Sequence, residues 1–190
     1  MNEKQLKILF IGNSHTYYND MPLLVKRRFE ENAYDCAVTM LAHPGWFLAQ
    51  HAGDPEAKFN ILYGGYDYVV LQEHAHPFGP VDEFFDAVRT LTCWISDSGS
   101  IPVLFVTWAK KSEPELQQQM TDAHSRIAKE TASLLAHVGD SWWDHMAAHP
   151  EPEMYAEDEA HASPAGSAFA AEMIAKAIWD DLLRKETSGK

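Results

Sequence analysis

Cysteine is scarce in this chain: its 190 residues hold two, Cys36 and Cys93. Each lies in an apolar run and reads as a reduced core thiol, and two cysteines leave room for one bridge at most, not a disulfide framework. Positive charge is also short. Fifteen Lys and Arg face 28 Asp and Glu, for a formal net charge of −13. A surface that acidic repels phosphate backbones and anionic lipid, so neither nucleic acid nor a membrane is expected as a partner. No apolar run approaches the length of a membrane span. The run near the N-terminus (Leu6 to Ile11) is too short for a signal h-region and follows acid and amide side chains, so the cytoplasm is the expected location. Internal repeats, low-complexity tracts and linkers are missing too, and the length suits one domain over residues 1–190.

What is present is an alternation of strand-like and helix-like segments, which predicts an α/β fold with a mainly parallel sheet. Leu6 to Ile11 is a continuous apolar run ending at Gly12, the pattern of a strand buried on both faces. A helix is expected from Asn19 or Asp20, with Pro22 in its first turn. Ala37–Leu41, Tyr68–Leu71 and Ile101–Trp108 read as further strands. After Pro80, the spacing of Val81, Phe84, Phe85, Val88, Leu91 and Ile95 is helical, and Gly99 stops it. Ser112 and Glu115 match a capping box for a helix running to Val138, with Gly139 as its C-terminal cap. Residues 140–162 read as a long irregular stretch, a length that usually serves function or carries short elements of its own. A last helix starts at Ser163-Pro164.

Ligands in open parallel sheets bind beyond the carboxyl ends of the strands. Here those ends read Gly12-Asn13-Ser14-His15-Thr16, His43-Pro44-Gly45-Trp46 and Gln72-Glu73-His74-Ala75-His76, with Asp158-Glu159-Ala160-His161-Ala162-Ser163 before the last helix. A serine at a strand end is by itself a common turn or cap residue. It gains meaning beside Asp158 and His161. A spacing of three in a tight turn can set the carboxylate on one imidazole nitrogen and leave the other free to take a proton from serine, which is a poor nucleophile until a base acts on it.

Ile11-Gly12-Asn13-Ser14-His15-Thr16 resembles the first block of the SGNH/GDSL hydrolases in a GNS form, Gly45 resembles the second-block glycine, and Asp158-x-x-His161 before a final helix resembles the last block. The resemblance spans nearly the whole chain in order and spacing. It implies a flavodoxin-like three-layer sandwich with helices on both faces of the sheet, and ester hydrolysis through an acyl-serine intermediate with no metal or organic cofactor. Ser14 would be the nucleophile, His161 the base and Asp158 its orienting partner, with the backbone N–H groups of Ser14 and Gly45 holding the oxyanion. The third block departs from the family's Gly-x-Asn-Asp: this chain has Leu71-Gln72-Glu73-His74, closer to the Gln-containing block of some carbohydrate-esterase-like branches. The Gln72 amide is therefore a candidate third oxyanion donor. The alternatives are that Gln72 only braces neighbouring loops, or that His74 is the donor.

The expected substrate is a small ester, with a short acyl group on an alcohol and an acylated sugar as one form of it. His15, Trp46 and His74 are candidate substrate contacts. Two other classes remain open: a non-catalytic binding module on the same fold, and a metal-dependent hydrolase built on His74 and His76, joined by His43 and His51. His145 and His149 read as surface residues, because Met146 stands where a zinc-protease motif needs Glu. Tyr17, Tyr18, Trp142 and Trp143 flank the predicted site, although packing in the core is the commoner fate of tryptophan. Glu157 and Glu159 are alternative partners for His161.

Overall fold

The computed structural model describes residues 5–188; Met1–Lys4, which enter the reading of the N-terminus, lie outside the described residues. Five parallel strands form one sheet: β1 (Leu6–Gly12), β2 (Cys36–Ala42), β3 (Tyr68–Gln72), β4 (Ile101–Phe105) and β5 (Leu134–Ala136). Their spatial order is β2-β1-β3-β4-β5. Chain order reverses between β1 and β3, and the crevice beyond the carboxyl ends of those two strands is where such sheets bind ligands.

Alternate side chains of each central strand point to opposite faces, and both faces are covered. Leu6, Ile8 and Phe10 of β1 join Tyr68, Val70, Val103 and Phe105 in one core. Over it pack α2 (Met21–Glu31), α7 (Val138–Ala148) and α8 (Pro164–Ser188). Leu9 and Ile11 join Val69, Leu71 and Leu104 in the second core, under α3 (Leu48–Ala52), α4 (Pro55–Tyr63), α5 (Val81–Asp97) and α6 (Leu116–Thr131). The continuous apolar run of β1 is thus the middle of a three-layer sandwich. Among the described residues, no helix is long and apolar enough to cross a membrane.

Several sequence expectations are corrected. The helix expected to reach Val138 ends at Thr131, where Ala132 turns left-handed (φ 52). Leu134, which falls on the helical spacing expected to reach Val138, belongs with Leu135 to β5, paired with Val103 and Leu104. Residues 140–162 are not wholly irregular, since α7 fills the first half. The capping box at Ser112 does not form; Glu115 precedes the helix without a side-chain cap bond. The fourth strand ends at Phe105, not Trp108. The short helices α3 and α4 were not anticipated. Cys36 is buried as expected, but Cys93 is exposed on α5.

Candidate active site

The chain leaves β1 at Gly12 and turns directly into α1 (Ser14–Tyr17). Asn13 caps that turn, its side-chain oxygen accepting the His15 N–H at 3.1 Å. The turn is tight because Gln72, at the end of the adjacent β3, packs over it. A Cβ on Gly12 would lie 2.5 Å from Gln72 Oε1 and 2.9 Å from Gln72 Cβ, so only glycine fits. This geometry places Ser14 just past the carboxyl end of β1, half-buried.

His161 arrives from the other end of the chain, in the loop before α8. Ser14 Oγ lies 2.7 Å from His161 Nε2, and His161 Nδ1 lies 2.5 Å from Asp158 Oδ2. A carboxylate can only accept, so Nδ1 carries the ring proton, and Nε2 is left to accept from the Ser14 hydroxyl; this tautomer is assigned from the partners. Asp158 Oδ1 also accepts the N–H groups of Ala160 and His161, at 3.0 and 2.9 Å. Burial opposes ionisation of Asp158, but these bonds, led by that from the His161 ring, outweigh it and hold its carboxyl at about 2. The imidazole is also held from both faces. The Tyr18 ring lies on one side at 4.1 Å with 11° between planes, and the His15 ring on the other at 4.7 Å and 27°. Tyr18 was grouped only with the flanking aromatics, and its contact follows from a turn that spacing alone does not specify.

The loop after β2 carries Gly45 in the left-handed region (φ 70), a conformation that favours glycine. Asn13 Nδ2 donates to the Trp46 carbonyl at 2.9 Å, tying this loop to the nucleophile turn. Among the described residues, the backbone N–H groups of Ser14 and Gly45 have no hydrogen-bond partner.

The third strand end carries Gln72 and His74. Gln72 is buried, and its Oε1 accepts the Asn13 N–H at 2.8 Å and the Thr16 hydroxyl at 2.9 Å. Its Nε2 donates to the Glu73 carbonyl. The oxygen and one of the two amide hydrogens are therefore committed, and these bonds make Gln72 a brace beneath the nucleophile turn. The His74 Nδ1 donates to the Pro77 carbonyl at 3.0 Å and its ring stacks on Phe47 at 4.3 Å, which ties the ring to its own loop.

Of the expected substrate contacts, His15 is corrected as well. It is 8% exposed and lies behind His161, against His76 and Trp108. Burial, then the neighbouring His76 and His161 rings, push its pKa well below the ordinary value, which keeps it neutral. Trp46 is half-buried and packs at a tilt against His43, with ring centroids 4.1 Å apart. Glu73 is an unanticipated buried carboxyl, accepting the N–H groups of His74 and Leu48 at 2.6 and 3.2 Å; burial raises its pKa to about 7. Trp142 is core, and Trp143 packs partly buried against it. Glu157 and Glu159 are exposed and make no bond to the His161 ring.

His74 and His76 do not assemble a metal site. Among the described residues, the one group of three ligand-type side chains is His43, Asp54 and Glu56, with ligand atoms within 4.8 Å of one another; it contains no member of the Ser14 constellation.

The sheet order and layers are those of the SGNH/GDSL hydrolase fold. TesA superposes with a TM-score of 0.72 at 13% identity, over 90% of this chain and 97% of that one. The psychrotrophic esterase EstA from Pseudoalteromonas sp., in a structure inhibited by monoethylphosphonate, gives 0.71 at 14% identity, over 93% and 98%. Axe2, an acetyl xylan esterase from Geobacillus stearothermophilus, gives 0.70 at 17%, over 91% and 94%. No family model matches the sequence, and no curated protein matches it closely enough to report.

Proposed function

We propose that this protein is a serine esterase that removes a short acyl group from an alcohol. The observation that carries the reading is the line from Ser14 Oγ to His161 Nε2 (2.7 Å) and from Nδ1 to Asp158 (2.5 Å), assembled from opposite ends of the chain. In this reading the Ser14 oxygen attacks the ester carbonyl while Nε2 takes its proton. Asp158 steadies the imidazolium that forms. The Ser14 and Gly45 N–H groups hold the oxyanion, a contribution of about 3–4 kcal/mol per donor in comparable sites. The tetrahedral adduct collapses as Nε2 hands its proton to the leaving alcohol. Water then attacks the acyl-serine, giving its proton to Nε2, which returns it to Ser14 as the acid departs.

Esterases among the similar folds, acetyl xylan esterases included, support an acylated sugar as the substrate class, and Trp46 beside Gly45 offers an aromatic face for a sugar ring. The test is hydrolysis of 4-nitrophenyl acetate with and without EDTA, alongside labelling by a fluorophosphonate. EDTA-insensitive turnover with labelling that Ser14→Ala abolishes is the expected result. Turnover that needs a metal, or no turnover and no labelling, would overturn it.

A further inference from the structure

His161 sits on a backbone whose carbonyls are held one after another by different parts of the chain. The Trp108 indole N–H donates to the Ala160 carbonyl at 2.8 Å, and the Ala156 N–H to the His161 carbonyl at 2.8 Å. The Ala162 carbonyl is held by the side chain of Asn19, whose Nδ2 donates to it at 3.0 Å. The same amide nitrogen donates its second hydrogen to Ser167 Oγ at 2.9 Å, and Ser167 Oγ donates to the Tyr18 carbonyl at 3.3 Å. Both amide hydrogens are thus spent on the segment that carries the base.

Asn19 reaches this position through an uncommon backbone. It and Asp20 are both left-handed, with φ 53 and φ 55, in a chain segment with no glycine between Ser14 and Met21. Asparagine is among the few side chains that tolerate that region, and two successive non-glycine residues held there mark a turn fixed by its surroundings. The turn directs two things at once. The Tyr18 ring goes onto the face of His161, and the Asn19 amide goes to the residue after His161. Both lie four or five residues beyond Ser14. The nucleophile's own segment therefore grips the base from its ring and from its backbone.

We propose that Tyr18 and Asn19 form a positioning clamp that sets the Ser14–His161 distance, with Asn19 as the residue on which it depends. The inference rests on the serine esterase reading. Neither residue forms a hydrogen bond to Ser14 Oγ or to the His161 ring nitrogens; each acts through the placement of His161. Proton transfer is steep in geometry: misplacing a group by about 1 Å can cost on the order of 100-fold in rate. The Asn19 amide anchors the carbonyl of the residue next to His161, so it bears on that distance.

Asn19→Gly isolates the effect, because glycine accepts the left-handed backbone and removes only the amide. In 4-nitrophenyl acetate hydrolysis it should lower kcat by about 10- to 100-fold and leave KM nearly unchanged, with fluorophosphonate labelling slowed in parallel. A residue acting through the base loses its effect once the base is gone, so Asn19→Gly in a His161→Ala background should be no worse than His161→Ala alone. Asn19→Asp, which keeps the shape but sets a carboxylate oxygen against the Ala162 carbonyl, serves as the second variant and should lose at least as much. If Asn19→Gly or Asn19→Asp keeps kcat within twofold, or if the losses add to that of His161→Ala, the clamp is overturned. Ser14→Ala separates this from failure of the esterase reading: retained turnover in Ser14→Ala sinks that reading, whereas its loss beside a fully active Asn19→Gly sinks the clamp alone.

Discussion

Replacing Gln72 with methionine distinguishes a brace from an oxyanion donor. Methionine has nearly the same length and volume, so the substitution opens little cavity and tests only the polar bonds. Gln72 Oε1 is the partner of the Asn13 N–H and of the Thr16 hydroxyl, and both donors are about 1% exposed. Losing it strands two buried donors. At about 1–3 kcal/mol for each unsatisfied group, Gln72→Met should cost about 2–6 kcal/mol of stability. With a urea m-value of about 2 kcal/mol/M, the midpoint should fall by about 1–3 M. The Nε2 end loses its bond to the Glu73 carbonyl as well, so the upper part of that range is the more natural outcome. Urea titration followed by tryptophan fluorescence reads the midpoint, and 4-nitrophenyl acetate turnover of the folded fraction reads the chemistry. If Gln72 acts only as the brace, folded Gln72→Met should keep kcat within about tenfold, because the oxyanion donors are then untouched. An unchanged midpoint with kcat down by about 100-fold or more would refute the argument, because that is the mark of a donor lost from the oxyanion site.

Three further outcomes follow from neighbouring residues. Gly12→Ala should destabilise by about 1–3 kcal/mol, because its Cβ meets Gln72 and Thr16 at less than contact distance; a melting temperature equal to wild type would show that the brace is not tight. Glu73 is held at about 7 against an ordinary 4.5, so the fold favours its protonated form: its contribution is present at low pH and lost as pH rises from 4.5 through 7, by at most about 3 kcal/mol. Stability curves for wild type and Glu73→Gln should therefore diverge between pH 5 and 8, and parallel curves would rule this out. Ser14→Ala and His161→Ala should each lower kcat by several orders of magnitude, with the double variant little worse than either; additive losses would argue against a shared mechanism.

The sequence made the strands and the ends that matter legible because β1 is apolar on both faces and stops at Gly12, so Ser14 had to lie at a strand end. Asp158 and His161 were legible through local spacing. What spacing could not carry were partners fixed by long-range packing. Leu134 and Leu135 continue the helical period of α6, and only pairing with β4 makes them a strand. Gln72 has the donor group that chemistry asks for, but the direction of its amide depends on Asn13 and Thr16, 59 and 56 residues away. His15 borders Ser14 in sequence, yet α1 turns its ring inward, behind the base rather than toward the crevice.

The histidines show why a local motif alone does not define the site. His137 and Asp140 stand three apart, as Asp158 and His161 do, and their side chains meet at 3.0 Å; the Asp140 hydrogen bond raises the His137 pKa. That pair has the carboxylate that orients an imidazole but no hydroxyl on the far nitrogen. His15, His51 and His124 are buried, and burial lowers the pKa of each, so they serve as neutral packing groups. His161 differs from all of these in having a carboxylate on Nδ1 and a serine hydroxyl on Nε2, the latter 147 residues away. The fold supplies that second partner, because the reversal of strand order between β1 and β3 opens a crevice at Ser14, and α8 packs against α2 on the same side of the sheet, which returns the loop before α8 to it. A base needs both partners. One comes from a turn that three residues can encode, and the other from the topology of the whole sheet.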